Sequence, residues 1–414
     1  MTTTWKNIET WIDAHVEQMV ELQRLLTAIP AIAPESGGDG EAKKCRALKK
    51  WLAKAGIKDI VHYDAPDSRV RGGVRPNLVA TIPGRKKDAV WIIAHTDVVP
   101  EGERKLWTGD PWKLRRDGSK LIGRGVEDNQ QAIVSGAFAA LSFLKTHTVP
   151  ERTIKLLFAA DEEVGSAMGM HYLLEHHNLF SRDDLIVVPD SGVEDGRAIE
   201  VAEKNMFWFK FTVKGKQTHA SHPDQGVNAF LAGSALALVL HGMRNVFHQR
   251  DKLFSPPWST FEPTKKEANV PNVNTIPGED VFYLDCRILP RYSLDQVRDQ
   301  VARRAAQIEA QYGVRITAEE LQANESPPTK AEAPVVRALA DAVKRVYGVN
   351  TKPVGIGGGT VAAPLRAKGY DAAVWCRIKH CAHQPDEYCL VENLVGDTKV
   401  FARIMLGQEN AKMD

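Results

Sequence analysis

Cysteine is scarce and odd in number: five residues spread over 414 positions, with no close C-x-x-C pair. That excludes a disulfide-stapled scaffold and argues against a zinc-finger type of cluster, which needs paired thiolates. Cys376, Cys381 and Cys389 stand near His380 and His383 and read as small core residues. Long apolar runs are absent too, and no stretch approaches the ~20 residues that cross a bilayer. An excess of one charge is missing. The formal net charge is +2 and charged residues make up 26%, which offers no footprint for nucleic acid or a membrane surface. No internal repeat or low-complexity segment occurs. Residues 1–26 follow an amphipathic helical pattern without the apolar core of a cleavable signal. Together with the unpaired thiols this sets the expectation of a cytoplasmic protein. What the chain does have is 43% hydrophobic residues, enough for a large core. Its length predicts two or three domains at about 150 residues each.

Three short, mostly apolar runs each end in a side chain able to bind metal: Ala89–His95, Ile154–Glu163 and Leu185–Asp190. Rich in β-branched and aromatic residues, they read as strands buried on both faces. Helical patterns at about 6–28, 39–56 and 129–146 alternate with strand patterns near 77–82, 89–95, 153–160 and 185–189. Such alternation predicts an α/β fold, a mostly parallel sheet with helices on both faces. The pattern changes after Gly192. Strands at Phe207–Val213 and Val281–Ile288, with helices at about 226–248 and 293–312, fit an inserted two-layer α+β domain. Helix (331–347), strand (371–378) and helix (391–406) patterns then resume. The expected organisation is a first catalytic segment 1–196, an insert 197–322 and a second catalytic segment 323–414. The turn-rich stretches Val193–Gly196 and Asn324–Pro328 serve as hinges.

In open α/β sheets the chemistry gathers beyond the carboxyl ends of the strands. Here those ends carry His95, Asp97, Glu162, Glu163 and Asp190. His95 can offer one ring nitrogen to a metal, and Asp97 can accept the other ring N–H and fix the tautomer. Alone, H-x-D favours a plain histidine–aspartate pair at a loop start. In Gly123-Arg-Gly-Val-Glu-Asp128 two glycines let backbone approach a ligand. Asp128 is then either a helix cap or a carboxylate shared by two metals. Adjacent Glu162 and Glu163 at the end of an apolar strand repel each other and cost desolvation unless a cation compensates; a plain surface loop is the alternative. Asp190 is a third strand-end carboxylate, or a turn aspartate before Ser191-Gly192. His383 follows the last apolar strand as a distant ligand would, with His380 as its competitor.

In this order the segments resemble the co-catalytic zinc amidohydrolases that include acetylornithine deacetylase, succinyl-diaminopimelate desuccinylase, aminoacylase, carboxypeptidase G and carnosinase. The likeness spans nearly the whole chain. His95-Thr-Asp-Val-Val-Pro100 is similar to the family's H-x-D-V-V-P, Gly123–Asp128 to G-R-G-x-x-D, and Glu162-Glu163-Val-Gly to E-E-x-G. Asp190-Ser-Gly is similar to (D/E)-x-G, and His383–Glu387 to H-x-P-x-E. The resemblance implies a zinc-peptidase-like catalytic domain in which His95 and Asp190 hold one zinc, Glu163 and His383 hold the other, and Asp128 bridges them. It makes Glu162 the general base and Asp97 the residue that orients His95. Two Zn2+ per subunit are expected, with Co2+ or Mn2+ as substitutes compatible with N/O ligands. By the same resemblance the insert is a lid and dimerisation domain, so the chain is expected to form a homodimer. Lys216–Pro223 is similar to the lid motif, whose His219 would enter the neighbouring subunit's site and polarise the scissile carbonyl; a surface turn histidine is the plain alternative. Asn274, Arg287 and the loop residues Gly358, Gly359 and Thr360 match substrate-binding positions. Arg287 could grip a carboxylate bidentately, or simply sit in a surface salt bridge.

Two departures stand out. Asn129-Gln130-Gln131 replaces a Lys-Gly pair that many members have after the bridging aspartate. Position 190 is Asp, as dipeptidase-like members tend to have, where deacylases tend to have Glu. The expected activity is a metal-dependent amidohydrolase that cleaves a small peptide in dipeptidase fashion, with N-acyl amino acid deacylation, acetyl or succinyl, as the other reading. A phosphate-binding role for Gly355–Thr360 fails for want of the Lys-Ser/Thr or spaced glycine fingerprint. A silent scaffold is disfavoured because every proposed ligand and the base are present.

Overall fold

The computed structural model describes residues 3–407. They divide into two units. The first runs to Val201 and takes up Thr329–Pro353 and the chain from Thr360 on; the second is Ala202–Pro328 with Val354–Gly359.

The first unit is built on a mixed eight-stranded sheet. Its four central strands, in the order Arg152–Ala159, Lys86–His95, Leu185–Gly192 and Ala372–Cys376, run parallel. Val90, Ile93, Leu157, Ile186, Val187 and Val374 are wholly buried along them. This is what an unbroken apolar run produces when both faces of a parallel sheet are covered. Leu78–Ile82 and Asp59–His62 extend one side antiparallel, and Ala198–Glu203 lies antiparallel to Ala372–Cys376 on the other. On one face the helix Gln130–Lys145, buried almost all round, lies so close that a Cβ on Gly136 would stand 3.1 Å from Ile92. On the other, Trp91, Ile93 and Val188 pack with Leu173 and Leu365 from the short helices Tyr172–His176 and Ala362–Ala367, and with Val361 just before the second.

The helix expected over 6–28 is two helices, Thr3–Ala14 and Val16–Thr27. The break has a local cause. The His15 ring takes the Trp11 carbonyl at 2.7 Å, and the His15 N–H turns to Ile12 instead, so the i→i−4 ladder is interrupted.

The second unit is an antiparallel sheet in the order Thr260–Lys266, Glu279–Ile288, Asn205–Lys214, Arg315–Asn324. Phe207, Phe209, Phe211 and Val213 alternate inward beneath the helices Ala229–His241 and Leu294–Tyr312. Ser293 and Gln296 close a reciprocal capping box at the start of the second helix. The architecture is therefore the expected one, an α/β sheet unit plus a two-layer α+β unit. Among the described residues no helix is long and apolar enough to cross a membrane.

One close approach fixes the sheet end beside Asp190. Gly192 pairs with Cys376, and a Cβ there would lie 1.8 Å from the Cys376 carbonyl oxygen. Gly192→Ala is expected to cost about 1–3 kcal/mol, read from the urea midpoint. Gly72→Ala, which meets nothing within 4 Å, should leave the midpoint in place. Equal midpoints for both variants would refute the constraint.

Candidate metal centre

Strand register delivers the first residues of the site. His95 ends its strand opposite Ala159, so the chain leaving Ala159 brings Glu162 and Glu163 in beside it. Asp190 lies near the end of the neighbouring parallel strand, and Asp128 just precedes the buried helix Gln130–Lys145. His383 comes from the loop between Ala372–Cys376 and Tyr388–Leu390. His95 Nε2 lies 2.9 Å from Asp128 Oδ1 and 3.4 Å from Asp190 Oδ1. His383 Nε2 lies 3.2 Å from Asp128 Oδ2 and 3.0 Å from Glu163 Oε2. Asp128 thus meets one imidazole with each oxygen. Two groups of donor atoms, His95/Glu162/Asp190 and His95/Asp128/Glu163, each lie within 4.8 Å of one another. Neither His380 nor His383 is in these groups, and both are exposed; His383 is the one that pairs with Asp128 and Glu163.

Buried carboxylates hold the loops that carry these side chains. Asp97 accepts the Glu162 and Glu163 N–H groups at 3.1 and 3.0 Å. Its backbone carbonyl lies 3.1 Å from His95 Nδ1 and its Oδ1 3.3 Å from the same nitrogen. The other ring nitrogen therefore faces the Asp97 carbonyl as well as the carboxylate expected from sequence. Glu387 accepts from the N–H groups of Gly125, Glu127 and Asp128 at 3.0–3.1 Å and pairs with Arg124 at 2.6 Å. Behind Glu162, Arg75 is fully buried, bonded to Glu41 and 2.9 Å from Asp161. Asn77 accepts the Ala160 N–H and donates to the Met168 carbonyl.

The charges explain what the pocket can hold. Burial raises Glu162 well above the ordinary carboxylate range, and the charge of Asp190 raises it further. Burial also raises Glu163 and Asp190, against the pull of His383 and His95 respectively. For His95 burial opposes a charge, but Asp190, Asp128 and Asp97 outweigh it and raise its proton affinity. His383, bonded to Asp128 and Glu163, is pushed up to about 10. Protons here offset a surplus of buried negative charge, a task a divalent cation performs better. Glu163 Oε1 is buried with no hydrogen-bond partner. Imidazole and carboxylate donors of this kind suit zinc, cobalt or manganese, so the residues fit such an ion.

The remaining predicted residues fall elsewhere in the chain. His219 is exposed in the second unit, 2.7 Å from Ser221 Oγ and 3.5 Å from Asn274 Nδ2. Arg287 forks onto Asp285 and donates to the Gly357 carbonyl at 3.0 Å, beside Gly358 and Gly359 in that same unit. Thr360 belongs to the first unit and caps the turn into Ala362. Sequence reasoning passed over Arg75 and Glu41, met Glu127 only as an unassigned position of the Gly123–Asp128 stretch, and left the role of Asn129 open. Glu387 carried a signal as the last residue of the matched H-x-P-x-E.

The sequence profile described as Peptidase family M20/M25/M40 matches residues 91–407. An uncharacterized metallohydrolase of Methanococcus maripaludis is 37% identical over 415 residues, spanning 94% of this chain and 99% of its own. Succinyl-diaminopimelate desuccinylase 2 of Ruegeria is 28% identical, covering 94% and 95%. Human carnosine dipeptidase 1 has a similar fold, with a TM-score of 0.75 over 98% of both chains at 17% identity. With a profile match over most of its length and a relative above one-third identity along nearly all of it, the chain belongs to Peptidase family M20/M25/M40 and is a metallohydrolase of that family.

Proposed function

We propose that the protein is a di-zinc amidohydrolase that cleaves the amide bond of a small peptide in dipeptidase fashion. The observation that carries this reading is the meeting of His95, Asp128, Glu162, Glu163, Asp190 and His383 from five separate stretches of chain. His95 and Asp190 would hold one ion, Glu163 and His383 the other, with Asp128 between them; Co2+ or Mn2+ could substitute. Bound zinc supplies Lewis acidity and lowers the pKa of water to roughly 7. Glu162, lifted by burial, is suited to take the proton of the attacking water as the C–O bond forms. It then delivers that proton to the amide nitrogen as the C–N bond breaks. Asp97 orients His95 and braces the backbone of Glu162. In this reading 1–196 and 323–414 form the catalytic domain. The insert 197–322 pairs two subunits, and its His219 polarises the carbonyl in the partner's site. Asn274, Arg287, Gly358, Gly359 and Thr360 would contact substrate. Five free, buried cysteines suit a cytoplasmic setting.

Dipeptide preference rests on Asp at position 190. A second reading, removal of a succinyl or other acyl group from an amino acid, is favoured by the 28% identical desuccinylase. One panel of free dipeptides, N-acetyl amino acids and N-succinyl-diaminopimelate, with metal analysis of the same sample, separates the two. No turnover on any of them at full zinc occupancy would refute both.

Glu162→Gln should retain both ions and lower kcat by roughly 10²–10⁴-fold. Wild-type turnover in that variant would remove the proposed base. His383→Ala should reduce the bound zinc from two ions to one, read by elemental analysis. Metal uptake should also depend on pH with a definite sign. His95 and His383 both bind protons more strongly than a free histidine in the metal-free chain, and both must be neutral to ligate. Zinc binding therefore expels protons, and apparent affinity should rise between about pH 6 and 8. Calorimetry in two buffers of different ionisation enthalpy reads the released protons; a flat affinity across that range would contradict the ligand set.

A further inference from the structure

The stretch Glu127–Gln131 sets Asp128 among side chains that reach into other segments of the site. Glu127, 4% exposed, accepts the Lys379 and Cys381 N–H groups at 2.6 and 3.0 Å. Those residues lie four and two positions before His383, whose own backbone is left-handed at φ 65°. Such a loop is not held by regular pairing, so its anchors decide where the imidazole stands: Glu127 before it, and Arg124, which donates to the His383 carbonyl at 3.3 Å. Asn129, 2% exposed, donates to the Pro189 carbonyl at 2.8 Å and to Asp190 Oδ1 at 2.7 Å. Its own Oδ1 is buried with no partner. The side chain is thus placed for its two donors and not for complete hydrogen bonding. Gln131 donates to the Arg377 carbonyl and to Asp397 Oδ2, both at 2.8 Å, fixing the segment from which the His383 loop departs.

We propose that Glu127 and Asn129 are positioning residues that govern different halves of the metal centre. Asn129 aims the Asp190 carboxylate and so the group it forms with His95 and Glu162. Glu127 aims His383 and so its pairing with Asp128 and Glu163. The inference rests on the two-ion reading above. A neutral amide donor lets Asp190 sit among other carboxylates without swinging away. An aspartate at 129 would set a second carboxylate against it. At 127 the carboxylate accepts two N–H groups, while a glutamine would turn an N–H toward one of them.

The test is zinc titration by calorimetry with a competing chelator on metal-free wild type, Asn129→Ala, Asn129→Asp and Glu127→Gln. Loss of a group that orients a ligand weakens metal affinity by roughly 10–100-fold. That loss is expected in one binding step for both Asn129 variants and in the other step for Glu127→Gln, with a variant combining Asn129→Ala and Glu127→Gln weak in both. Asp190→Asn and His383→Ala identify the steps. The former should remove the step that Asn129→Ala weakens, the latter the step that Glu127→Gln weakens. Thermal melting of each metal-free variant is the control for folding, and Asn129→Ser and Glu127→Asp replace any variant that does not fold. Equal weakening of both steps in a single variant, or two unchanged steps, overturns the inference. A wild type that binds no ion pair removes the proposed function and this inference together.

Discussion

Asp97, Glu127 and Glu387 each turn a buried carboxylate onto two or more backbone N–H groups of another segment, and the geometry of the metal centre depends on these contacts. Hydrogen bonds to an ionised acceptor are short and roughly twice as strong as neutral ones. In a dry interior they also settle where the chain can run. The arrangement is reciprocal. Glu387, four residues beyond His383, holds the Gly125–Asp128 turn, while Glu127 in that turn holds the chain leading to His383. Each loop is held by a carboxylate of the other. Asp97, two residues from His95, does the same for Glu162 and Glu163. The side chains of the candidate metal centre are thereby held by carboxylates of other segments.

An outer layer of charge supports this arrangement. Arg75 and Glu41 are fully buried and bonded to each other, with Asp161 and Asp67 close by. A buried ion pair is a weak source of net stability but costly to break. Its position explains its presence, because Glu41 and Arg75 both hold Asp161, the residue before Glu162. Asp161 has φ 69° and Ser166 φ 59°, while His380, His383 and Asp386 are left-handed in the opposite loop. Outside glycine such backbone costs of order 1–3 kcal/mol per residue and persists only when the surroundings over-determine it. Apart from His147, the described non-glycine residues with positive φ all fall in these two loops. Strain is concentrated in the two loops that carry Glu162, Glu163 and His383.

The sheet and its strand-end residues were legible because burial on both faces leaves an unbroken apolar run, and because residues with a charge or a ring nitrogen stand out at its end. The helices Leu294–Tyr312 and Val391–Leu406 were legible for a similar reason, a sustained period ending in Gly313 and Gly407. The strand Arg315–Asn324 was not. It lies at the sheet edge with mostly polar, exposed residues, so no alternation marks it. Asp59–His62 is short and half-exposed for the same reason. The residues that hold the loops were invisible on different grounds. Glu127, Asn129, Arg75 and Glu41 bind partners 30 or more positions away, and sequence periodicity carries nothing about such pairs.

The Asn129-Gln130-Gln131 departure, left open by sequence, has a physical content once these contacts are known. Each amide at 129 and 131 donates to a carboxylate, Asp190 in one case and Asp397 in the other. Burial pushes Asp397 up to about 7 despite the Arg377 N–H, Gln131 and Tyr347 donors around it. A cation in either place would neutralise part of the acidic cluster and weaken its attraction for divalent ions at short range. An amide fixes the position of a carboxylate while leaving its charge in place. The negative charge of the Glu162, Glu163 and Asp190 cluster is therefore left uncompensated by a neighbouring cation, and the charge of Asp190 adds to the burial that raises Glu162.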